Sequence, residues 1–163
     1  MSFIIKGLDP AEFEPLFRLS DAELKNRGVI AKIADAKPGY PCRVTLEDAE
    51  PGERVLLLNY ESHKAATPYR SAYAIYVRDN AGAAAIYENE LPPVFFNRPI
   101  ALRIFDKDGM LIGADMGFDD GLKSRIKGAL AQPNAAYLHA HNAMHGCFAA
   151  SILPGADFCA GEA

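Results

Sequence analysis

In the first quarter of the chain the apolar residues recur at helical spacing, and from Val29 onward the spacing shortens to two, which predicts a helical start followed by a sheet. Phe3 to Ile5 reads as a short strand. Asp9, Pro10 and Glu12 then supply an N-cap, a first-turn proline and a capping-box acid for a helix that buries Phe13, Leu16 and Phe17. Ser20 and Glu23 repeat the capping box for a second short helix, which Gly28 ends.

In the middle of the chain the two-residue period dominates. Cys42 to Leu46 alternates, Arg54 to Tyr60 is apolar on both faces, and Glu50-Pro-Gly-Glu53 between them has turn chemistry, so a hairpin with a central second strand is expected. Another strand runs from about Tyr69 to Arg78, and a loop rich in Ala, Asn and Pro leads from it to Pro99. Ile100 to Phe105 and Met110 to Met116 flank Asp106-Lys-Asp-Gly109, which predicts a second hairpin with Gly109 in the left-handed region. Asp119 or Asp120 caps a helix whose Leu122, Ile126 and Leu130 share one face, and Pro133 lies beyond its end. Tyr137 to His141 and Cys147 to Leu153 read as the last hairpin.

These elements describe an α+β fold, a mainly antiparallel sheet covered by two or three helices. At 163 residues the chain fits one globular domain over residues 1–155 with a loose tail at 156–163. A net charge of −4, with scattered Lys and Arg, provides no electrostatic footprint for nucleic acid or an anionic membrane, and no apolar run is long enough to span a bilayer. The apolar stretch in MSFIIKGLDP is too short for a signal peptide, and three widely spaced cysteines do not suggest a disulfide framework, so a cytoplasmic location is expected.

Candidate chemistry concentrates in Tyr137-Leu-His-Ala-His-Asn-Ala-Met-His-Gly-Cys147, which holds three of the four histidines and one of the three cysteines. On a strand His139 and His141 face one way, about 7 Å apart at their backbones, a spacing at which two neutral imidazoles can chelate a divalent transition metal. Cys147 is a candidate nucleophile with His141 as its catalytic partner. A five-residue loop over Asn142 to Gly146 places it opposite His141 on the same face, whereas a four-residue loop turns it to the other. Cys42 and Arg70 are candidate ligand-binding residues. Arg70 alternates with Ala72 and Ala74, so its guanidinium stands over a floor of small residues where a carboxylate or phosphate could be clamped. No P-loop, dinucleotide glycine fingerprint, nucleophile elbow or paired C-x-x-C is present.

Three blocks, Ala36-Lys-Pro-Gly-Tyr-Pro-Cys-Arg-Val-Thr-Leu-Glu-Asp-Ala49, Pro68-Tyr-Arg-Ser71 and Tyr137-Leu-His-Ala-His-Asn-Ala with Gly146-Cys147, resemble DUF1203, a family of bacterial proteins of unknown function. The resemblance implies a single bacterial domain and brings no activity, cofactor or catalytic residue with it. Three functions are compatible with these residues. The first is a pocket of His139, His141, Cys147, Cys42 and Arg70 that binds a small anionic molecule; the second is a metal-dependent hydrolase or isomerase using His139 and His141. The third is a non-catalytic interaction or structural protein. Convergence of the five side chains separates the first two from the last.

Overall fold

The computed structural model describes residues 2–155 and arranges them as nine strands in two antiparallel sheets with three helices. The expected α+β class and the dominance of antiparallel pairing both hold. The tail at 156–163, and Cys159 within it, lie outside the described residues.

Strand β1 (Phe3–Lys6) leads through a short 3-10 turn at Pro10–Glu12 into helices α1 (Glu14–Phe17) and α2 (Asp21–Asn26). Asp9 caps the turn by accepting from the Ala11 amide at 3.0 Å. Glu12 does not reach back to complete a capping box; its carboxylate accepts instead from the Tyr60 hydroxyl at 3.0 Å. Ser20 and Glu23 do form the reciprocal box that their spacing predicts. Strands β2 (Ile30–Ile33), β3 (Arg54–His63) and β4 (Ser71–Arg78) make a three-stranded sheet in that order, with β3 central. Its apolar face, with Leu56, Leu58, Ile75 and Val77, packs with Phe13, Phe17 and Leu24 of the N-terminal helical segment.

The hairpin expected between Cys42–Leu46 and Arg54–Tyr60 is replaced by a β2–β3 pairing, in which Ile30 opposes Leu57 and Ile33 opposes Arg54. Residues 42–46 fold into a tight turn, with the Leu46 amide donating to the Cys42 carbonyl at 3.0 Å and Leu46 at φ 53. The alternation of apolar residues was real but had another cause. Cys42 and Val44 are buried against the three-stranded sheet, whereas Leu46 enters a different core. The loop is anchored on the chain just after β1, where the Leu8 amide donates to Arg43 O at 2.8 Å, and on the residue before Ile86, the Ala85 amide donating to Val44 O at 2.9 Å. Only glycine fits at position 7, since a Cβ there would meet Val44 O at 2.0 Å.

The larger sheet contains six strands in the order β5-β1-β9-β8-β6-β7, with β5 (Ile86–Glu88), β6 (Ile100–Phe105), β7 (Leu111–Gly117), β8 (Tyr137–Asn142) and β9 (Phe148–Pro154). Strand β5 has three residues within the stretch expected to be loop, too short to show a period. The β6–β7 turn follows its chemistry: Gly109 has φ 79 and Asp106 accepts from the Asp108 and Met110 amides, each at 2.9 Å. Helix α3 (Gly121–Leu130) buries Leu122, Ile126 and Leu130 against one face of this sheet. Neither aspartate caps it through a side chain, because Asp120 makes no such bond and Asp119 accepts from the Asn97 amide at 2.7 Å instead.

Candidate functional site

Alternation along β8 sends Leu138 and Ala140 into the core beneath α3 and turns Tyr137, His139 and His141 to the opposite face, as the pattern predicts. That face is not open. His63, at the end of β3, and Tyr73, on β4, meet it from the smaller sheet. Ring centroids lie 5.4 Å apart for His63 and His139, 6.3 Å for His139 and His141, and 5.0 Å for Tyr73 and His141. Phe105 and Phe148 complete the packing, and Arg103 Nη1 donates to the Tyr73 hydroxyl at 2.6 Å.

Burial dominates the electrostatics of this cluster. His139 is 5% exposed and His141 2%. Desolvation, with the positive fields of His141, His63 and Arg103, drives the His139 pKa down to about 3. His141 falls to about 4, again chiefly through burial, against an opposing hydrogen bond to the Gly146 carbonyl. Because a carbonyl only accepts, the 2.9 Å contact of His141 Nδ1 with Gly146 O places the proton on Nδ1 and leaves Nε2 as a buried acceptor with no hydrogen-bond partner among the described residues. Neutral imidazoles are what a metal requires, but two donors do not complete a tetrahedral site. His63 is not free to be the third, because its Nδ1 contacts Tyr69 O at 3.1 Å and its Nε2 the Tyr137 hydroxyl at 2.9 Å. Among the described residues no group of three or more His, Cys, Asp or Glu side chains is arranged to hold a metal ion.

The other expected ligands do not join this cluster. Arg70 is exposed and pairs with Glu61; Ala72 and Ala74 do lie on the outward face, but the guanidinium closes on the carboxylate rather than on an open floor. Cys42 is buried, and its sulfur accepts from the Thr45 and Arg78 amides at 3.5 and 3.3 Å. Cys147 is turned away from His141. The Asn142 amide donates to Cys147 O at 3.0 Å, so the connecting loop has the four-residue length that places Cys147 on the Asn142 side. A bulge between Ala140 and His141 then sets Phe148 opposite His141. Cys147 and His141 therefore form no nucleophile–base pair. His145, the third histidine of the segment, is exposed in the turn.

The residue that Cys147 does meet is Arg43, whose Nη2 lies 3.3 Å from its sulfur. Arg43 is 3% exposed; its Nε donates to Phe148 O at 2.7 Å and its Nη1 to Pro41 O. It has no carboxylate ion-pair partner among the described residues. Burial lowers the Arg43 pKa, and the sulfurs of Cys147 and Cys42 are the groups that oppose that shift. Nearby, Arg98 grips Asp48 with both Nη atoms, at 2.9 and 2.8 Å. Burial works against the ionised Asp48 carboxyl, but these bonds and the Gly39 amide hold it below its ordinary range.

Two concavities border Arg98. One is a recess of about 10 Å³, room for a single water-sized group, lined by Arg43, Arg98, Asn142, Pro41, Val94, Ile100 and Ala149. The other is an open cleft of about 360 Å³ whose wall includes Lys37, Glu47, Asp48, Phe96, Asn97 and Arg98. Around the recess two guanidiniums face one carboxylate, which leaves one positive charge in excess. Neither Arg43 nor Arg98 stands out in the sequence, although an arginine amid the alternating apolar residues of Cys42 to Leu46 was a signal that could have been followed.

No curated protein and no solved structure shows detectable similarity to this chain. Residues 39–153 match the family described as "Protein of unknown function (DUF1203)", a span that takes in the loop, both arginines and the β8–β9 hairpin, and the chain belongs to that family.

Proposed function

We propose that the protein binds a small anionic molecule at the Arg43–Arg98 recess, with an anionic oxygen of the ligand between the two guanidiniums and Asn142 and its body in the cleft beyond Arg98. The observation behind this reading is the buried guanidinium of Arg43, which has no carboxylate partner among the described residues. A guanidinium does not deprotonate in a protein, so burial leaves its charge to be balanced by something else. Each guanidinium has five N–H donors, and the bonds already made do not exhaust either set. At about 360 Å³ the cleft falls in the range of small-molecule sites. A reducing cytoplasm suits this site, since Cys42 and Cys147 form no disulfide among the described residues.

Thermal-shift and calorimetric titrations with inorganic phosphate, sulfate and small carboxylates test this reading. A ligand at 100 times its dissociation constant adds about 2.7 kcal/mol of stability. Asn142→Ala, which strips one polar group from the recess and spares both arginines, weakens that binding about ten-fold, the equivalent of about 1.4 kcal/mol. If none of these anions stabilises the wild-type protein, the recess is not an anion site.

A further inference from the structure

We propose that Cys147 is a reactive thiol and the protein's site of reversible modification, made nucleophilic by the guanidinium of Arg43. Cys147 is partly exposed, so a small reagent can reach it, whereas Cys42 is buried at 1% exposure with its sulfur held by two backbone amides. Arg43 Nη2 lies 3.3 Å from the Cys147 sulfur, within charge-assisted hydrogen-bond reach. Arg43 is itself buried without a carboxylate partner among the described residues, so a thiolate at Cys147 is the internal negative charge best placed to balance it. A thiolate next to a cation, and not the thiol, is the attacking species in thiol chemistry.

The step is a disulfide exchange with a low-molecular-weight disulfide. Cys147 loses its proton to solvent, its sulfur attacks one sulfur of the reagent and a new S–S bond forms. The reagent's own S–S bond breaks, and its second sulfur leaves as a thiolate. Cys147 is oxidised, the departing sulfur is reduced, and excess thiol reverses the exchange. No histidine base takes part, since His141 is engaged on the other side of the hairpin. The charge that the new disulfide removes is the one facing Arg43, so modification would return an unbalanced guanidinium to the recess.

The test uses the full chain with Cys159→Ser, so that the tail thiol does not contribute, and iodoacetamide as the probe, with modified residues identified by peptide mass. For an ordinary thiol titrating at about 8.5, the labelling rate falls roughly fifty-fold between pH 8.5 and pH 6.5. At Cys147 the expected fall is less than five-fold, with no labelling of Cys42 on the same timescale. Arg43→Gln keeps an amide that can bond Phe148 O but removes the charge, and it should restore the ordinary fifty-fold profile. Circular dichroism confirms that this variant is folded; if it is not, the wild-type profile decides alone. A Cys147 that follows the ordinary profile, or is not labelled in the folded protein, overturns the proposal. The proposal shares Arg43 with the anion reading but needs no ligand, so labelling can succeed where the anion titrations fail, and the reverse.

Discussion

His139, on strand β8, and Arg43, packed against the β8–β9 hairpin, are both nearly fully buried bases, yet burial has opposite consequences for them. An imidazole escapes the desolvation penalty by staying neutral, and the low pKa values of His139 and His141 record that escape. Once neutral they pack as flat rings against Phe105, Phe148 and Tyr73, and need no counter-ion. A guanidinium has no such route, because its ordinary pKa lies too far above any working pH. Its charge persists and has to be met, in Arg98 by Asp48 and in Arg43 by a sulfur and two carbonyls. The histidine-rich segment therefore supplies packing between two sheets, and the overlooked arginines supply the candidate chemistry.

The largest expected effect comes from unbalancing the recess on its paired side. Arg98→Met leaves the buried Asp48 carboxylate with the Gly39 amide and the more distant charge of Lys37, and breaking a buried pair in this way costs about 3–5 kcal/mol. Asp48→Asn combined with Arg98→Met removes both charges and should recover most of that loss, as urea unfolding of the four members of the cycle would show. If Arg98→Met alone unfolds at the wild-type urea concentration, Asp48 is solvated well enough to need no partner, and the recess is open to water.

Acid should break the histidine side of the comparison. For each imidazole the folded pKa lies below the unfolded value of about 6.5, so between the two the unfolded chain binds more protons and stability rises with pH. The stabilisation present at neutral pH is lost as pH falls from about 6.5 toward 4, at up to about 1.4 kcal/mol for each unit of displacement in each group, so on the order of 3 kcal/mol for His139 alone. His139→Phe keeps a ring in the inter-sheet layer and should flatten this slope, with part of it remaining through His141. Denaturant unfolding at pH 7, 6, 5 and 4 measures the effect. A slope equal in wild type and variant would mean that His139 is hydrated rather than sealed between the sheets.

Much of this architecture is legible in local sequence because its signals act over a few residues. Ser20 and Glu23 form their box, Asp106 and Gly109 make their turn, Leu122, Ile126 and Leu130 share a helix face, and His139 and His141 share a strand face. Failures occur where distant contacts decide. Cys42 to Leu46 alternates like a strand but divides its buried side chains between two cores, which only the packing of both sheets could reveal. The bulge opposite His141 is one extra residue in β9, invisible to a two-residue period, and it exchanges Cys147 for Phe148 on the histidine face. Arg43 draws its role from Cys147 and Phe148, 104 and 105 residues away, so nothing near it in the chain announces a site.

The smallest effect belongs to Arg70, the control for both clusters. Its position over Ala72 and Ala74 on an outward strand face suggested an anion clamp, but Glu61 on the neighbouring strand already occupies its fork in an exposed pair. Exposed pairs contribute little, because water screens the charges and two long side chains lose rotamer freedom to meet. Arg70→Ala should therefore melt within measurement error of the wild type, bind phosphate or carboxylate with unchanged affinity and leave Cys147 labelling unaltered. The same three measurements on Arg43→Gln should all change. A loss of anion affinity in Arg70→Ala with Arg43→Gln unaffected would move the ligand site to the outer face of the three-stranded sheet. In that event Arg43, like the histidines, would be a structural base and Glu61 the group that an incoming anion displaces.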